Sequence, residues 1–374
     1  MQKIQMVDLH SQYLKMKSEI DNAIQNVINT SEFIKGSEVK KFEANLASYL
    51  SVKHVISCAN GTDALQLALM ALDLNAGDEI ITANFTFIAT AEVIALLGLN
   101  PVLVDVNPNT FTLDVEATKK AITPRTKAIM PVHLFGQAAE MHEIREIAKA
   151  HNLYIIEDVA QALGADYLSE NISQKLGTLG DIACTSFFPS KNLGAFGDGG
   201  AVFTNNDALA EKIRILSNHG MKVRYYHDFI GINSRLDGIQ AAILNVKLNY
   251  LDIYNQERQK AADFYDQAFK KCEFVEIPAR NSHSTHIFHQ YTLKIKQKRD
   301  DLKDFLEKKE IPSMIYYPVA LHKQKAFSGS ELAKGYFPIT EMLTQQVLSL
   351  PMHTELNTQQ LEYITTNILE FFNS

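Results

Sequence analysis

The sequence predicts an α/β fold: a mostly parallel sheet flanked by helices, with a smaller C-terminal α+β domain. Three observations carry this. From about Val55, short apolar runs alternate with longer helical periods. The run Leu153-Tyr154-Ile155-Ile156 is continuously apolar, as a strand covered on both faces must be. The chain has 374 residues, 46% apolar and 21% charged, enough for two or three domains with a cleft between them.

The elements follow in order. Asp63 to Leu72 places Leu65, Leu69 and Leu72 on one helical face. Glu79 to Thr82 reads as a strand, Thr86 to Leu97 as a buried helix, and Pro101 to Val106 as a strand. Val115 to Ile122 is helical, Ala128 to Leu134 a strand, and Glu140 to His151 helical. The strand from Leu153 ends at Glu157-Asp158. Serial strand–helix units of this kind favour a parallel sheet. The rhythm then changes. Ile182 to Phe188 and Gly200 to Thr204 are two strands joined by a Gly-rich loop without a helix, which predicts an antiparallel insertion. Asp207 to Asn218 is helical, and Gly238 to Leu251 runs on as a long polar helix through Phe269. Beyond it, His289 to Ile295 and Ser313 to Tyr317 read as strands, Asp300 to Lys309 and Asn357 to Phe372 as helices. This divides the chain into a large unit, 1–250, and a small one, 251–374.

Composition narrows the function. The net charge is −7 and no segment concentrates Lys and Arg, so nucleic acid is not the expected partner. Cys58, Cys184 and Cys272 are odd in number and far apart, which argues against a disulfide framework or a structural metal site. Cys58 and Cys184 lie in apolar runs and read as buried hydrophobes. The N-terminal residues include Lys3, Asp8 and Lys15, unlike a signal peptide. The most apolar stretch, Phe85 to Val106, is interrupted by Glu92, Asn100 and Pro101 and is not a membrane span. A cytoplasmic protein is expected.

The chemistry concentrates at strand ends. Lys191 follows an apolar strand and precedes Gly194, Gly197, Gly199 and Gly200. Glycines there permit close approach to a ligand, and a desolvated amine becomes a nucleophile suited to Schiff-base chemistry. Asp158 ends a buried strand, where α/β sheets bind ligands, and a carboxylate there can keep a pyridine nitrogen protonated. Taken alone, Asp158 reads more readily as a cap on the next helix. Strand alternation turns Glu157 to the opposite face. Ala59-Asn60-Gly61-Thr62-Asp63 opens a helix with a glycine and a hydroxyl, an anion site or an ordinary cap. Asn84-Phe85-Thr86-Phe87 offers an aromatic for stacking on a flat ring; Phe85 reads as core. Phosphate loop, aromatic, carboxylate and lysine follow one another along one sheet.

These residues resemble the DegT-like sugar aminotransferases, a branch of the fold-type-I enzymes that depend on pyridoxal 5'-phosphate (PLP). The likeness spans nearly the whole chain. It includes Val7-Asp8-Leu9, Phe33 to Gly36, Asn60 to Leu65, Thr86 to Thr90, Pro131 to Gly136, Glu157 to Gln161, Ser186 to Lys191, Gly197 to Gly200, Asn233 to Asp237 and Ser349 to His353. The resemblance implies roles. Lys191 would hold the cofactor and move the proton, and Asp158 would pair with the ring nitrogen. Phe87 would stack on the ring, and Gln161 would lie near its hydroxyl. Gly61, Thr62 and Ser186 would hold the phosphate. Asn233 matches an asparagine that reaches the phosphate of the partner subunit, which implies a homodimer with shared sites and puts Arg235 at the same cleft. Glutamate would be the amino donor and a UDP- or dTDP-linked keto-hexose the acceptor, aminated at C3 or C4, for cell-surface polysaccharide such as lipopolysaccharide. Tyr316 would lie near the sugar, and His322, Arg235 and Tyr317 are expected at the substrate-binding rim of the cleft. Relatives of the UDP-uronate type carry His-Tyr-Pro where this chain has Tyr316-Tyr317-Pro318.

The same residues argue against three other readings. A PLP-fold regulatory protein has no need of Lys191, Asp158, Gln161 and Ser186 together. A sugar dehydratase of this family replaces the lysine with histidine. A Rossmann dehydrogenase would carry G-x-G-x-x-G after its first strand, and the glycines at 194–200 are spaced otherwise.

Overall fold

Two helices lead into the sheet in the computed structural model, which describes residues 3–169 and 172–373. Helix α1 (Leu9–Thr30) starts where the Asp8 carboxylate accepts from the Ser11 N–H, and it buries Met16, Ile20 and Val27 along one stripe. Helix α2 (Ser37–Leu50) buries Val39, Phe42, Leu46 and Leu50. The chain then alternates: β1 (His54–Cys58), α3 (Gly61–Ala71), β2 (Glu79–Ala83), α4 (Ala89–Leu96), β3 (Asn100–Val104), α5 (Val115–Ala121), β4 (Thr126–Met130), α6 (Met141–His151) and β5 (Tyr154–Asp158). A short hairpin, β6 (Asp166–Ser169) and β7 (Ile172–Lys175), precedes β8 (Ile182–Ser186), β9 (Gly200–Thr204) and α7 (Asp207–Leu216).

Seven strands form one sheet in the order β1-β9-β8-β5-β4-β2-β3. The pairs β2–β3, β2–β4, β4–β5 and β5–β8 are parallel. Strand β9 runs antiparallel to both β1 and β8, so the Gly-rich insertion behaves as its sequence predicts. Helices cover both faces, and neighbouring strand residues divide between two cores. Ile155 joins Phe42, Leu46, Ile144 and Leu244 on one side. Ile156 joins Leu65, Leu69, Ile94 and Ile213 on the other. Cys58 and Cys184 are buried within the second core.

A second hairpin, β10 (Met221–Val223) and β11 (Tyr226–His227), leads to α8 (Gly238–Leu248) and α9 (Leu251–Phe269). The expected single helix over 238–269 is thus two, broken at Asn249-Tyr250. Its buried face changes there: α8 is apolar nearly all round, whereas α9 shows one stripe from Leu251 through Tyr254, Arg258, Ala262 and Tyr265. The remainder comprises β12 (Val275–Glu276), β13 (Tyr291–Ile295), α10 (Arg299–Lys308), α11 (Pro338–Gln346), β14 (Val347–Leu350) and α12 (Thr358–Asn373). Strands β12, β13 and β14 make a small antiparallel sheet. Its core holds Tyr265, Phe269, Leu293, Leu306 and Ile364, together with Ile4 from the start of the chain. Leu321, Phe327 and Phe337 instead pack on Ala91 and Leu103 of the large sheet unit. The strand expected over 313–317 is only a bridge between Met314 and Ser349. Pro312 and Pro318 bracket it, and a prolyl nitrogen has no hydrogen to extend a ladder.

Candidate active site

Strand β5 delivers two adjacent carboxylates to opposite faces. Glu157 is saturated. It accepts from the backbone N–H groups of Gly177 (3.0 Å), Leu179 (2.7 Å) and Gly180 (2.6 Å), and from His133 Nε2 (3.0 Å). His133 Nδ1 accepts from the Ala139 N–H, so the ring is neutral with its hydrogen on Nε2. Burial alone would raise the Glu157 pKa, but His133 and the N–H donors hold it below the ordinary value.

Asp158 is differently served. One oxygen accepts from the Ala160 N–H (3.1 Å) and the other from the Thr90 hydroxyl (3.2 Å). Burial raises its pKa, against the Ala160 N–H, Lys191 and Thr90. Thr90 stands one helical turn beyond Phe87 at the start of α4, and its hold on Asp158 was not part of the sequence reading. A hydroxyl at that spacing was the available signal.

Lys191 sits in a tight turn, its N–H donating to the Phe188 carbonyl (2.8 Å). Among the described residues its amine has no hydrogen-bond partner. Burial pulls the amine down to about 8, while the Asp158 charge acts in the opposite direction. An amine of that pKa is neutral in a useful fraction near pH 7, the state that attacks a carbonyl carbon.

Asn60, Gly61, Thr62 and Ser186 converge on the same strand ends. Asn60 caps α3 through its side chain, accepting from the Asp63 N–H (2.8 Å), so the cap reading is correct for Asn60. Gly61 and Thr62 form the first turn, where backbone N–H groups lack helical partners. A Cβ on Gly61 would lie 2.6 Å from the Ser186 Cβ, so only glycine lets the loop close on Ser186. The Ser186 hydroxyl accepts from the Phe188 N–H (3.2 Å). Phe85 is core, 1% exposed, whereas Phe87 is 55% exposed and 6.4 Å from the Tyr317 ring.

Gln161 accepts from the Phe135 N–H (2.8 Å) and donates to the Tyr317 hydroxyl (3.0 Å). Tyr317 also packs against Phe85, and burial raises its phenol pKa, as it does for half-buried Tyr316. His322 does not stand at the cleft rim where it was expected. It is 2% exposed. Its N–H and Nδ1 are held by Asn84 and its Nε2 by Glu341 (3.1 Å). The segment after Pro318 folds under α4 because Leu321 has an apolar seat there, and it carries His322 inward. Asn233 is exposed. Arg235 lines a cavity of about 190 Å³ with Lys35, Lys40 and Arg214, where Glu43 is the single acid and is bonded to Ser57 and Arg214.

Parallel sheet, strand-end carboxylate and desolvated lysine define a fold-type-I aminotransferase scaffold. The DegT/DnrJ/EryC1/StrS aminotransferase family matches residues 14–369, and the chain belongs to that family, whose enzymes depend on PLP. It is 46% identical to a pleiotropic regulatory protein of Geobacillus stearothermophilus over 99% of this chain and 98% of that one. It is 44% identical to a UDP-2-acetamido-2-deoxy-3-oxo-D-glucuronate aminotransferase of Pseudomonas aeruginosa, covering 96% of this chain and 98% of the relative. The structure of S. venezuelae DesV in complex with a ketimine intermediate superposes with a TM-score of 0.96, at 37% identity, over 100% of this chain and 99% of that one.

Proposed function

We propose that this protein moves the amino group of glutamate to a keto-sugar carried on a nucleoside diphosphate, using PLP held by Lys191. The observation that carries the reading is the unpartnered, desolvated Lys191 amine beside a buried Asp158. PLP, when bound, supplies an electron sink that stabilises the carbanion formed at the donor Cα. The residues fit that group: an amine for its carbonyl, a carboxylate for its ring nitrogen, an exposed Phe87 face for its ring, and a glycine cradle with free N–H groups for its phosphate.

The chain's own residues then have distinct tasks. Asp158, oriented by Thr90 and Ala160, holds a proton at the ring nitrogen. Gly61, Thr62 and Ser186 bind the phosphate. Phe87 covers one ring face, and Gln161 holds Tyr317 against it while lying near the ring hydroxyl. Lys191 would hold PLP through its amine and, when that amine is free, would take up and deliver protons at the donor Cα and at the carbon of the sugar that receives the nitrogen. Tyr316 and Tyr317 face the sugar in this reading, and His322 acts beneath them by fixing the segment that carries them.

A homodimer completes the site. Asn233 and Arg235 serve the neighbouring subunit's phosphate and substrate, and the cationic cavity around Arg235 suits a diphosphate. The exposed apolar hairpin region, with Tyr225, Tyr226 and Ile230 (91% exposed), supports burial against a second copy. No helix among the described residues is long and apolar enough to cross a membrane, and we assign the enzyme to the cytoplasm, supplying amino sugars for cell-surface polysaccharide.

The test is direct. Purified protein is incubated with PLP, reduced with borohydride and mapped by mass spectrometry, then assayed with glutamate and a panel of UDP-, dTDP- and GDP-linked keto-sugars. A reduced adduct on Lys191 and an aminated sugar are expected. An adduct without turnover of any sugar would favour a regulatory role, the reading that the Geobacillus relative's name brings forward. Sedimentation velocity should show a dimer; a monomer at micromolar concentration would remove the shared-site assignment.

A further inference from the structure

The residue after the lysine carries a network that the transamination reading does not use. Asn192 is buried. Its Nδ2 donates to Asn255 Oδ1 (2.7 Å) on α9 and to the Ile287 carbonyl (3.3 Å). Its Oδ1 faces His289 Nδ1 at 3.2 Å. The Ile287 carbonyl can only accept, so Asn192 must present its amide hydrogens there and its oxygen to His289. His289 must therefore carry its hydrogen on Nδ1. The ring is buried, and burial together with the Lys191 and Arg258 charges holds it neutral. The backbone it belongs to is itself clamped: Arg258 Nη1 donates to the carbonyls of Phe288 (3.1 Å), His289 (3.4 Å) and Met352 (3.0 Å).

Lys191 stands on a glycine-rich turn closed by the Ala195 N–H on the Phe187 carbonyl (2.7 Å). Four glycines follow it within nine residues, and Gly194 passes so close to Pro189 that a Cβ would lie 2.3 Å from its carbonyl oxygen. Asn192 ties this turn to two segments far away in the chain, α9 and the approach to β13.

We propose that Asn192 is a positioning residue for Lys191, held in register by Asn255 and by the Nδ1–H tautomer of His289, so that the small C-terminal region sets the reach of the lysine amine. The inference rests on Lys191 carrying the cofactor. It makes the segment 287–289 part of the reaction geometry through its bonds to Asn192.

The experiment compares the PLP-loaded wild type with Asn192→Ala, His289→Phe and His289→Asn. The last keeps an N–H donor near the position of Nδ1. Three quantities are read: borohydride-trapped cofactor on Lys191, the visible circular dichroism of the bound cofactor, and the single-turnover rate with glutamate beside its KM. N192A and H289F should trap cofactor in full and leave KM within about threefold. They should weaken the visible dichroism and slow the single turnover on the order of 10- to 100-fold, the range expected when a reacting group is misplaced by an ångström or less. H289N should recover most of that loss. Wild-type dichroism and rates in both N192A and H289F would overturn the proposal. So would losses that follow melting temperature alone, with H289N no better than H289F. A wild type without any visible band would instead sink the cofactor reading, and this inference with it.

Discussion

Two lysine amines and two carboxylates of this molecule are desolvated, and one of each is engaged by protein partners. Glu157 receives four hydrogen bonds, and Lys247 donates to the Gly194 carbonyl (2.5 Å) while lying over the Phe196 ring. Asp158 receives two bonds, and the Lys191 amine receives a partner from none of the described residues. Burial takes both lysines down to about 8. Desolvation therefore does not separate Lys247 from Lys191, the proposed reactive lysine; the presence of a protein partner does. Engaged groups hold the scaffold, and open ones await a ligand that brings its own polar atoms.

The comparison breaks most visibly at the open pair. Lys191→Ala should abolish the visible absorbance of the holoenzyme and reduce turnover by at least about 10³-fold, since a positioned acid–base group is worth on the order of 10²–10⁴. Absorbance and coupled assay read this; a variant near the wild-type rate would contradict the assignment. Asp158→Asn should retain cofactor but lower turnover by roughly 10²-fold or more, because an uncharged ring nitrogen weakens the electron sink.

Glu157→Gln should do the reverse. It removes the charge to which three backbone N–H groups and the neutral His133 donate, with an expected loss of roughly 1.5–3 kcal/mol in stability, the range for a hydrogen bond to a buried charged group. Urea denaturation would register this, whereas the rate per folded, PLP-loaded molecule should change little. If E157Q lost activity while keeping its midpoint, the division between structural and reactive carboxylates would fail.

A gentler probe uses pH. With the Lys191 amine at about 8, the apoenzyme should capture PLP with a rate that falls about tenfold per pH unit below that value, as the neutral amine is protonated. Stopped-flow absorbance between pH 6 and 9 checks it, and a flat profile would mean that the amine is not the limiting nucleophile. The smallest effect is expected at Lys247. Its replacement by Met should leave the chromophore intact and the rate within about tenfold, since the buried stem is matched in volume and only the carbonyl of Gly194 loses a donor.

Much of this site was legible in the chain itself because it lies at strand ends, and strand ends can be read locally. Lys191 announces itself by its glycines, Asp158 by closing an apolar run, and alternation along Ile155-Ile156-Glu157-Asp158 assigns the two carboxylates to opposite faces. The hairpin-like change at β8 and β9 was visible as two apolar runs without a helix between them. The second half of the molecule was harder. Proline on either side of 313–317 limited it to one bridge, and a change of buried face split 238–269 into two helices. Both depend on what packs against them.

Local sequence thus determined the sheet, the candidate site at its strand ends and the family, because period, glycine placement and chain direction are short-range properties. Tertiary structure alone decided which polar groups are satisfied. His322 is drawn under α4 by the apolar seat of Leu321, Thr90 comes to rest on Asp158, and Asn192 is tied to Asn255 and His289 across long stretches of chain. Hydrogen-bond partnership between distant segments has no sequence period, so it becomes readable only once the chain has closed on itself.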